Sequence, residues 1–160
     1  MDKLNRRKFL AKSSLGLAGA TICLCSNSGC ATITGQGNTP EIKPKAYSIE
    51  NNKLRIVLDQ VPELSKIGGA VKILDKSLPE PIIVARVDDK EYVALSLKCP
   101  HRGVELEYLK KDKQFRCASL GHSRFKTDGT YIKGPAKKPL KSYSTRLGIL
   151  DRNKLVITIE

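Results

Sequence analysis

Residues 99–125 read CPHRGVELEYLKKDKQFRCASLGHSRF, and this stretch decides the fold. Apolar and polar residues alternate on both sides of the charged run KKDK, which predicts an antiparallel hairpin with VELEYL and QFRC as its arms. The chain has two histidines and five cysteines, and this stretch holds both histidines and two of the cysteines. The hairpin would bring the loop before its first arm and the loop after its second arm to the same end.

The region from residue 46 to residue 160 shows the same kind of pattern throughout. Short segments rich in Val, Ile, Leu and Tyr are separated by turn signals such as Asn51-Asn52, Gly68-Gly69, Asp88-Asp89 and Asp128-Gly129. The segments are AYSIE, KLRIVL, AVKIL, PIIVARV, EYVALSL, ELEYL, QFRC, SYSTRLGIL and KLVITI. Only VPELSKIG has the pattern of one short helical turn. The sequence therefore predicts an all-β antiparallel sandwich or small barrel.

Residues 1–30 have the layout of an export signal: a charged start, a short apolar run and small residues. Arg6-Arg7 followed by Phe9-Leu10 resembles a twin-arginine signal. The segment ends in SNSGC, which resembles the end of a lipoprotein cleavage box, so Cys30 is a candidate for lipidation. The other interpretations are that the signal is retained as an anchor or is cut nearby. We therefore expect a protein anchored on the periplasmic side of a membrane.

Residues 31–45 mix Gly, Pro, Thr, Asn and charge without a period, which indicates a flexible linker before the domain. The chain carries a formal net charge of +13, which favours acidic partners or anionic lipid headgroups. The basic residues are scattered through the predicted strands and form no helical stripe, so we expect no nucleic-acid partner.

Cys99 and Cys117 are the two cysteines of the predicted domain, and each has a histidine close behind it. A structural disulfide or two buried free thiols would be common arrangements in an exported protein. Neither accounts for the histidines, whereas metal ligation does. In an extended segment Cys99 and His101 point the same way, and a second loop could supply Cys117 and His122.

The arrangement Cys-x-His, fifteen residues, then a second Cys-and-His loop resembles the Rieske iron–sulfur family. The flanking stretches CPHRGVELEY and DGTYIKGPAKKPL are also similar to that family. The resemblance implies a Rieske-like β fold with a cluster-binding subdomain, whose loops lie at about residues 96–127. It further implies one [2Fe–2S] cluster per chain, with Cys99 and Cys117 on one iron and His101 and His122 on the other. Ser123 would stand where the family places a serine that tunes the cluster.

Two features depart from the family pattern. The second loop has Cys-x-x-x-x-His, where the family usually has Cys-x-x-His, and the usual histidine position falls on Leu120. We expect Gly121 to supply the backbone freedom for a bulge that lets His122 reach the iron. The extra cysteine pair of high-potential members is absent, and Val104 stands at one of its positions. The resemblance therefore implies a potential below the top of the Rieske range.

The resemblance implies an electron-transfer protein or redox-complex subunit and not a self-contained enzyme. Its partner would be a quinol–cytochrome complex or a periplasmic oxidoreductase, and the histidines would form the docking tip. Arg102, Arg124 and Lys126 are expected to flank that tip and to favour an acidic partner surface. Two alternatives stay open: a Rieske-like binding domain that has lost its cluster, and a structural zinc site of two cysteines and two histidines.

Overall fold

The computed structural model describes residues 36–149 and 151–159. Within these ranges the secondary structure is almost entirely β. The strands are β1 (Tyr47–Glu50), β2 (Lys53–Val57), β3 (Ala70–Ile73), β4 (Ile82–Arg86), β5 (Tyr92–Ser96), β6 (Leu106–Leu109), β7 (Gln114–Cys117), β8 (Arg124–Lys126), β9 (Tyr131–Lys133), β10 (Ser142–Leu147) and β11 (Lys154–Thr158). Short 3-10 turns cover Pro44–Ala46, Leu58–Gln60 and Pro62–Ser65, and the last of these confirms the predicted helical turn.

The strands form two antiparallel sheets. A larger base sheet has the order β1-β2-β11-β10-β5-β4-β3, and a smaller sheet has the order β6-β7-β8-β9. The predicted hairpin is confirmed as β6 and β7, which pair with Leu106 opposite Cys117 and Leu109 opposite Gln114. The prediction of an all-β antiparallel fold is therefore confirmed, and the smaller sheet carries the loops of interest.

Strands β4 and β5 are buried on both faces and hold the two sheets together. Ile82 and Val84 point into the core of the base sheet, while Ile83 and Ala85 point into a second core. This second core also contains Leu106, Phe115 and Phe125 of the smaller sheet, with Cys99 and Cys117 among the buried residues. The apolar run IIVA, residues 82–85, is typical of a strand covered on both sides. The smaller sheet is thus fixed on β4 and β5 by apolar burial.

The N-terminal segment of the described chain packs against the domain. The backbone N–H of Ile42 donates to the carbonyl oxygen of Lys72 at 2.9 Å, and the backbone N–H of Lys72 donates to the carbonyl oxygen of Pro40 at 2.8 Å. Ile42 is buried in the first core. Residues 36–45 were expected to belong to a flexible linker, and these contacts differ from that expectation. The reason is that Ile42 buries its apolar side chain in the core, and that β3 is an edge strand with free backbone groups to which residues 40–42 bind.

The sequence pattern did not predict strands β8 and β9, which form a hairpin in the structure. Each has three residues, which is too short for a recognisable alternation, and the predicted turn Asp128-Gly129 connects them. Phe125 of β8 is fully buried and contacts Tyr131 of β9 edge to face, with ring centroids 6.3 Å apart. These strands position the segment that follows, residues 134–140, beside the second candidate loop.

Candidate metal centre

The first candidate loop, residues 99–104, closes on itself by backbone hydrogen bonds. Lys98 and Glu105 pair across its neck as an isolated antiparallel bridge. The N–H of Cys99 donates to the carbonyl oxygen of Val104, and the N–H of Gly103 donates to that of Cys99, both at 2.8 Å. Gly103 has a φ of 68°, a conformation that glycine adopts without strain. The loop geometry therefore holds Cys99 at the base of the turn and leaves His101 at its top.

The second candidate loop joins β7 to β8. Its neck is closed by the N–H of Cys117, which donates to the carbonyl oxygen of Ser123 at 2.9 Å. Inside the loop, the backbone N–H of His122 donates to the carbonyl oxygen of Ser119 at 3.0 Å. His122 itself has a φ of 42°, in the left-handed region. Gly121 was expected to supply the backbone freedom for a bulge; the left-handed residue in this loop is the neighbouring His122. Gly121 instead provides space, because a Cβ atom there would lie 2.8 Å from Cγ of Pro135.

The two thiols lie together in the second core. Cys99 is 1% exposed and Cys117 is fully buried, and neither forms a disulfide. Burial raises the pKa of Cys99, and the neighbouring Cys117 thiol raises it further, while the backbone N–H of His101 and the Ser123 hydroxyl oppose this shift. The two sulfur atoms and the Ser123 hydroxyl are therefore neighbours. Of the alternatives drawn from the sequence, a disulfide does not occur in this structure.

Ser119 and Ser123 surround the thiols with hydroxyl groups. The Cys117 thiol donates to Oγ of Ser119 at 3.2 Å, a contact that the sequence analysis missed although Ser119 follows two residues after the cysteine. Ser123 is fully buried, and its Oγ accepts the backbone N–H of Ala136 at 3.1 Å. The hydrogen bond to Ala136 ties the segment 134–140 to the second loop.

The two imidazole rings lie outside this buried group. His101 and His122 are both exposed. Nδ1 of His122 lies 3.4 Å from the carbonyl oxygen of Cys117, so the ring stays near its own loop. Among the described residues, no three His, Cys, Asp or Glu side chains form a group that could hold a metal ion. The structure thus brings Cys99 and Cys117 together and places the histidines above them on the same two loops.

The basic residues near the loops differ in their surroundings. Arg102 is exposed on the first loop, as expected. Arg124 does not flank the tip as a solvated charge, because its Nη1 lies 2.9 Å from Oδ2 of Asp112 in the β6–β7 turn. Leu120 on the second loop is 86% exposed, which its apolar side chain does not lead one to expect.

Several predictions fall on residues 1–35, which lie outside the described residues. These are the twin-arginine signal, the possible lipidation of Cys30 and the first part of the linker. Within the described ranges, no helix is both long and apolar enough to span a membrane.

A β domain with two facing loops, each carrying a buried cysteine and an exposed histidine, belongs to the class of small metal-binding or redox domains. The family model described as the Rieske [2Fe-2S] domain matches residues 56–144, which include all four candidate ligands. The chain belongs to the Rieske [2Fe-2S] domain family.

Three known proteins illustrate what the chain is similar to. The cytochrome b6-f complex iron-sulfur subunit 3 of Nostoc sp. is 31% identical over 78 residues, which are 49% of this chain and 42% of that protein. The chain thus matches less than half the length of that relative. The ferredoxin of carbazole 1,9a-dioxygenase from Nocardioides aromaticivorans has a similar structure, with a TM-score of 0.52 and 18% identity over 65% of this chain and 93% of that one. A plasma membrane Rieske protein of Synechocystis gives a TM-score of 0.46 and 22% identity, over 56% of this chain and 85% of that one.

The Rieske family implies a [2Fe–2S] cluster, and the donor set fits this group in its chemistry. Two adjacent buried thiols that form no disulfide are suitable ligands for one iron, and neutral imidazoles on the same two loops are suitable for the other. In this structure the two thiols lie close together, whereas the two imidazole rings do not join them in one group.

Proposed function

We propose that this chain is a membrane-tethered Rieske electron-transfer protein on the periplasmic side, acting as a carrier or as a subunit of a redox complex. The observation that carries the proposal is the pair of buried thiols, free of a disulfide, at the necks of two loops that each hold a histidine. The membership of the Rieske family and the relative named as a cytochrome b6-f subunit support it.

In this proposal Cys99 and Cys117 would hold one iron of the cluster, and His101 and His122 would hold the other. When bound, the cluster would supply one-electron transfer. The protein groups around it have separate tasks: burial in the second core excludes water from the thiols, and the Ser123 hydroxyl next to Cys99 provides a polar neighbour. The exposed histidines place the other end of the site at the surface, where a partner can approach.

The partner in this proposal is a redox protein with an acidic docking surface. Arg102 is exposed beside His101, and Leu120 offers an apolar contact on the neighbouring loop. A basic residue beside an apolar contact suits an acidic partner, because opposite charges speed the encounter and apolar burial holds the complex.

A second candidate function has one specific observation in its favour. The second loop is two residues longer than the family spacing, and the histidines stand apart from the thiols in this structure. These features suit a Rieske-like binding domain that has lost its cluster.

The deciding experiment is the purification of the full chain from a host that assembles iron–sulfur clusters and exports folded proteins. We expect two irons and two sulfides per chain and, after reduction, an electron paramagnetic resonance signal with an average g near ~1.9. A colourless protein without iron would support the binding domain, and a colourless protein with one zinc per chain would support a structural zinc site.

The proposed route and anchor need separate tests. Replacing Arg6 and Arg7 together by lysine should leave the protein unexported, since the twin-arginine signal depends on that pair. Cys30→Ser should release the exported protein from the membrane fraction if a lipid on Cys30 anchors it. A Cys30→Ser protein that stays in the membrane fraction would point to a retained signal.

A further inference from the structure

Glu105 lies where the two candidate loops meet. Its backbone pairs with Lys98 across the neck of the first loop. Its carbonyl oxygen also accepts the N–H of Ala118, the residue after Cys117, at 3.0 Å. The backbone of this one residue therefore lies between the chain that leads to Cys99 and the chain that leaves Cys117.

The side chain of Glu105 reaches two further parts of the molecule. Its Oε2 accepts the backbone N–H of Gly37 at 2.8 Å and lies 2.9 Å from Nζ of Lys72 on β3. The side chains of Glu105 and Lys72 are 15% and 13% exposed, so this ion pair is largely shielded from water. Glu105 thus connects both candidate loops to the base sheet and to the N-terminal segment.

The segment from residue 37 to residue 42 is fitted closely to this junction. A Cβ atom at Gly37 would lie 3.1 Å from Cγ of Glu107 and 3.3 Å from the carbonyl oxygen of Leu106. The next residue, Asn38, donates its N–H to Oε1 of Glu107 at 2.8 Å. The carboxylates of Glu105, just before β6, and Glu107, on β6, therefore accept two successive backbone amides of the chain that arrives from the N-terminus.

A shielded ion pair contributes little net stability, because the cost of removing both charges from water offsets most of their attraction. The ion pair instead restrains the positions of its two residues, because separating them would leave a buried charge without a partner. The carboxylate of Glu105 binds the edge strand β3 and the N-terminal segment. The backbone of Glu105 binds the residue before Cys99 and the residue after Cys117.

We propose that Glu105 is a positioning residue for the candidate metal centre: its carboxylate, held by Lys72 and Gly37, fixes the junction from which both loops extend and so sets the spacing of Cys99 and Cys117. The consequence for a cluster rests on the proposed function. The same contacts attach the N-terminal segment to the small sheet that carries the loops.

The test compares full-length variants of the ion pair. Glu105→Met and Lys72→Met each leave one buried charge without its partner and should lower the unfolding temperature. The double variant Lys72→Met/Glu105→Met removes both charges and should restore that temperature. Lys72→Arg keeps the pair and should behave like the wild type. Glu50→Gln is the matched control, because it removes an acid from the exposed ion pair with Arg55.

A positioning role and a stabilising role predict different results for the double variant. If Glu105 positions the loops, the double variant should show a broadened electron paramagnetic resonance signal and lose its cluster to a chelator about tenfold faster than the wild type, as expected for loss of an outer-shell contact. A double variant with the wild-type signal and loss rate would overturn the inference.

The failure of the proposed function would be recognisable, because the wild type itself would then lack iron. In that case hydrogen exchange on the metal-free chain tests Glu105 directly. Faster exchange of the Cys99 and Ala118 amides in the double variant than in Glu50→Gln would support the positioning role, and equal exchange would refute it.

Discussion

The two candidate loops perform matching tasks but are held in different ways. The first loop is closed by its own backbone, through the hydrogen bonds between Cys99, Gly103 and Val104. The second loop is also closed at its neck by the N–H of Cys117, but it packs in addition against a neighbouring segment: Gly121 lies against Pro135, and Ser123 accepts the N–H of Ala136. The shape of the second loop therefore depends on the segment 134–140 as well as on its own backbone.

The same contrast separates the thiols from the imidazoles. Cys117 ends a strand, where the pairing with Leu106 and the burial of the second core fix its position. His122 lies in the excursion beyond that strand, in a left-handed conformation and exposed to solvent. Strand register determines where the Cys117 sulfur lies, whereas loop packing determines where the His122 ring lies. Changes at the thiols, at the rings and at the neighbouring segment should therefore have effects of different size.

The largest effect is expected from Cys117→Ser. A serine hydroxyl is a poor substitute for a thiolate on iron, so this variant should contain no cluster and show no visible absorption. Iron and sulfide analysis of the purified variant measures this. Ser119→Ala is the control, since it removes only the hydroxyl beside the sulfur. A Cys117→Ser protein that keeps two irons would show that the cysteine is not a ligand.

The altered spacing of the second loop gives the next prediction. His122→Ala should abolish the signal near g ~1.9, because no other histidine is available on that loop. Adding Leu120→His should not restore it, since Leu120 is 86% exposed with its side chain in solvent, whereas Nδ1 of His122 lies 3.4 Å from the carbonyl oxygen of Cys117. Electron paramagnetic resonance of both variants checks this. Recovery of the signal in the double variant would mean that position 120 still serves as the family's ligand position.

The parts of the molecule that could be predicted from the sequence are those where one local pattern dominates. The hairpin of β6 and β7 was predictable because alternating residues flank a charged turn, and the doubly covered strand β4 begins with four apolar residues in succession, 82–85. The strands β8 and β9 were not predicted, since three residues give no period. The contacts of residues 36–45 with Lys72 and Glu105 were also missed, because a composition typical of a linker says nothing about long-range partners.

The dependence of the second loop on its neighbour predicts a difference between two glycines. Gly134 has a φ of 107°, and a Cβ atom there would lie 2.5 Å from Cα of Ser123. Gly103 has a φ of 68° but no atom within 4 Å of such a Cβ. Gly134→Ala should therefore lower the free energy of unfolding by about 3 kcal/mol, from strain and overpacking together. Gly103→Ala should lower it by about 1 kcal/mol, from the left-handed conformation alone.

Urea unfolding of the two glycine variants measures this difference. Equal losses of stability would show that the contact between the segment 134–140 and the second loop is not needed. A larger loss for Gly103→Ala would reverse the comparison of the two loops.

The smallest effect is expected at Glu107, which braces the second loop from the strand side. Burial raises the pKa of Glu107, but hydrogen bonds from Arg116 and from the backbone N–H of Asn38 outweigh this and leave the pKa below its ordinary value. A lowered pKa in the folded state means that the charged form stabilises the fold above the ordinary pKa of about 4.3. This contribution is lost as the pH falls through the folded-state pKa.

Glu107→Gln should therefore lower the free energy of unfolding by about 1 kcal/mol at neutral pH, as for one hydrogen-bonded contact. The difference from the wild type should disappear in strong acid, where the glutamate is also uncharged. Urea unfolding at a series of pH values measures the difference, with Glu63→Gln as the control at an exposed carboxylate. A difference that persists in acid would assign the effect to packing, and Arg116, the neighbour of Cys117, would then be held without help from the charge of Glu107.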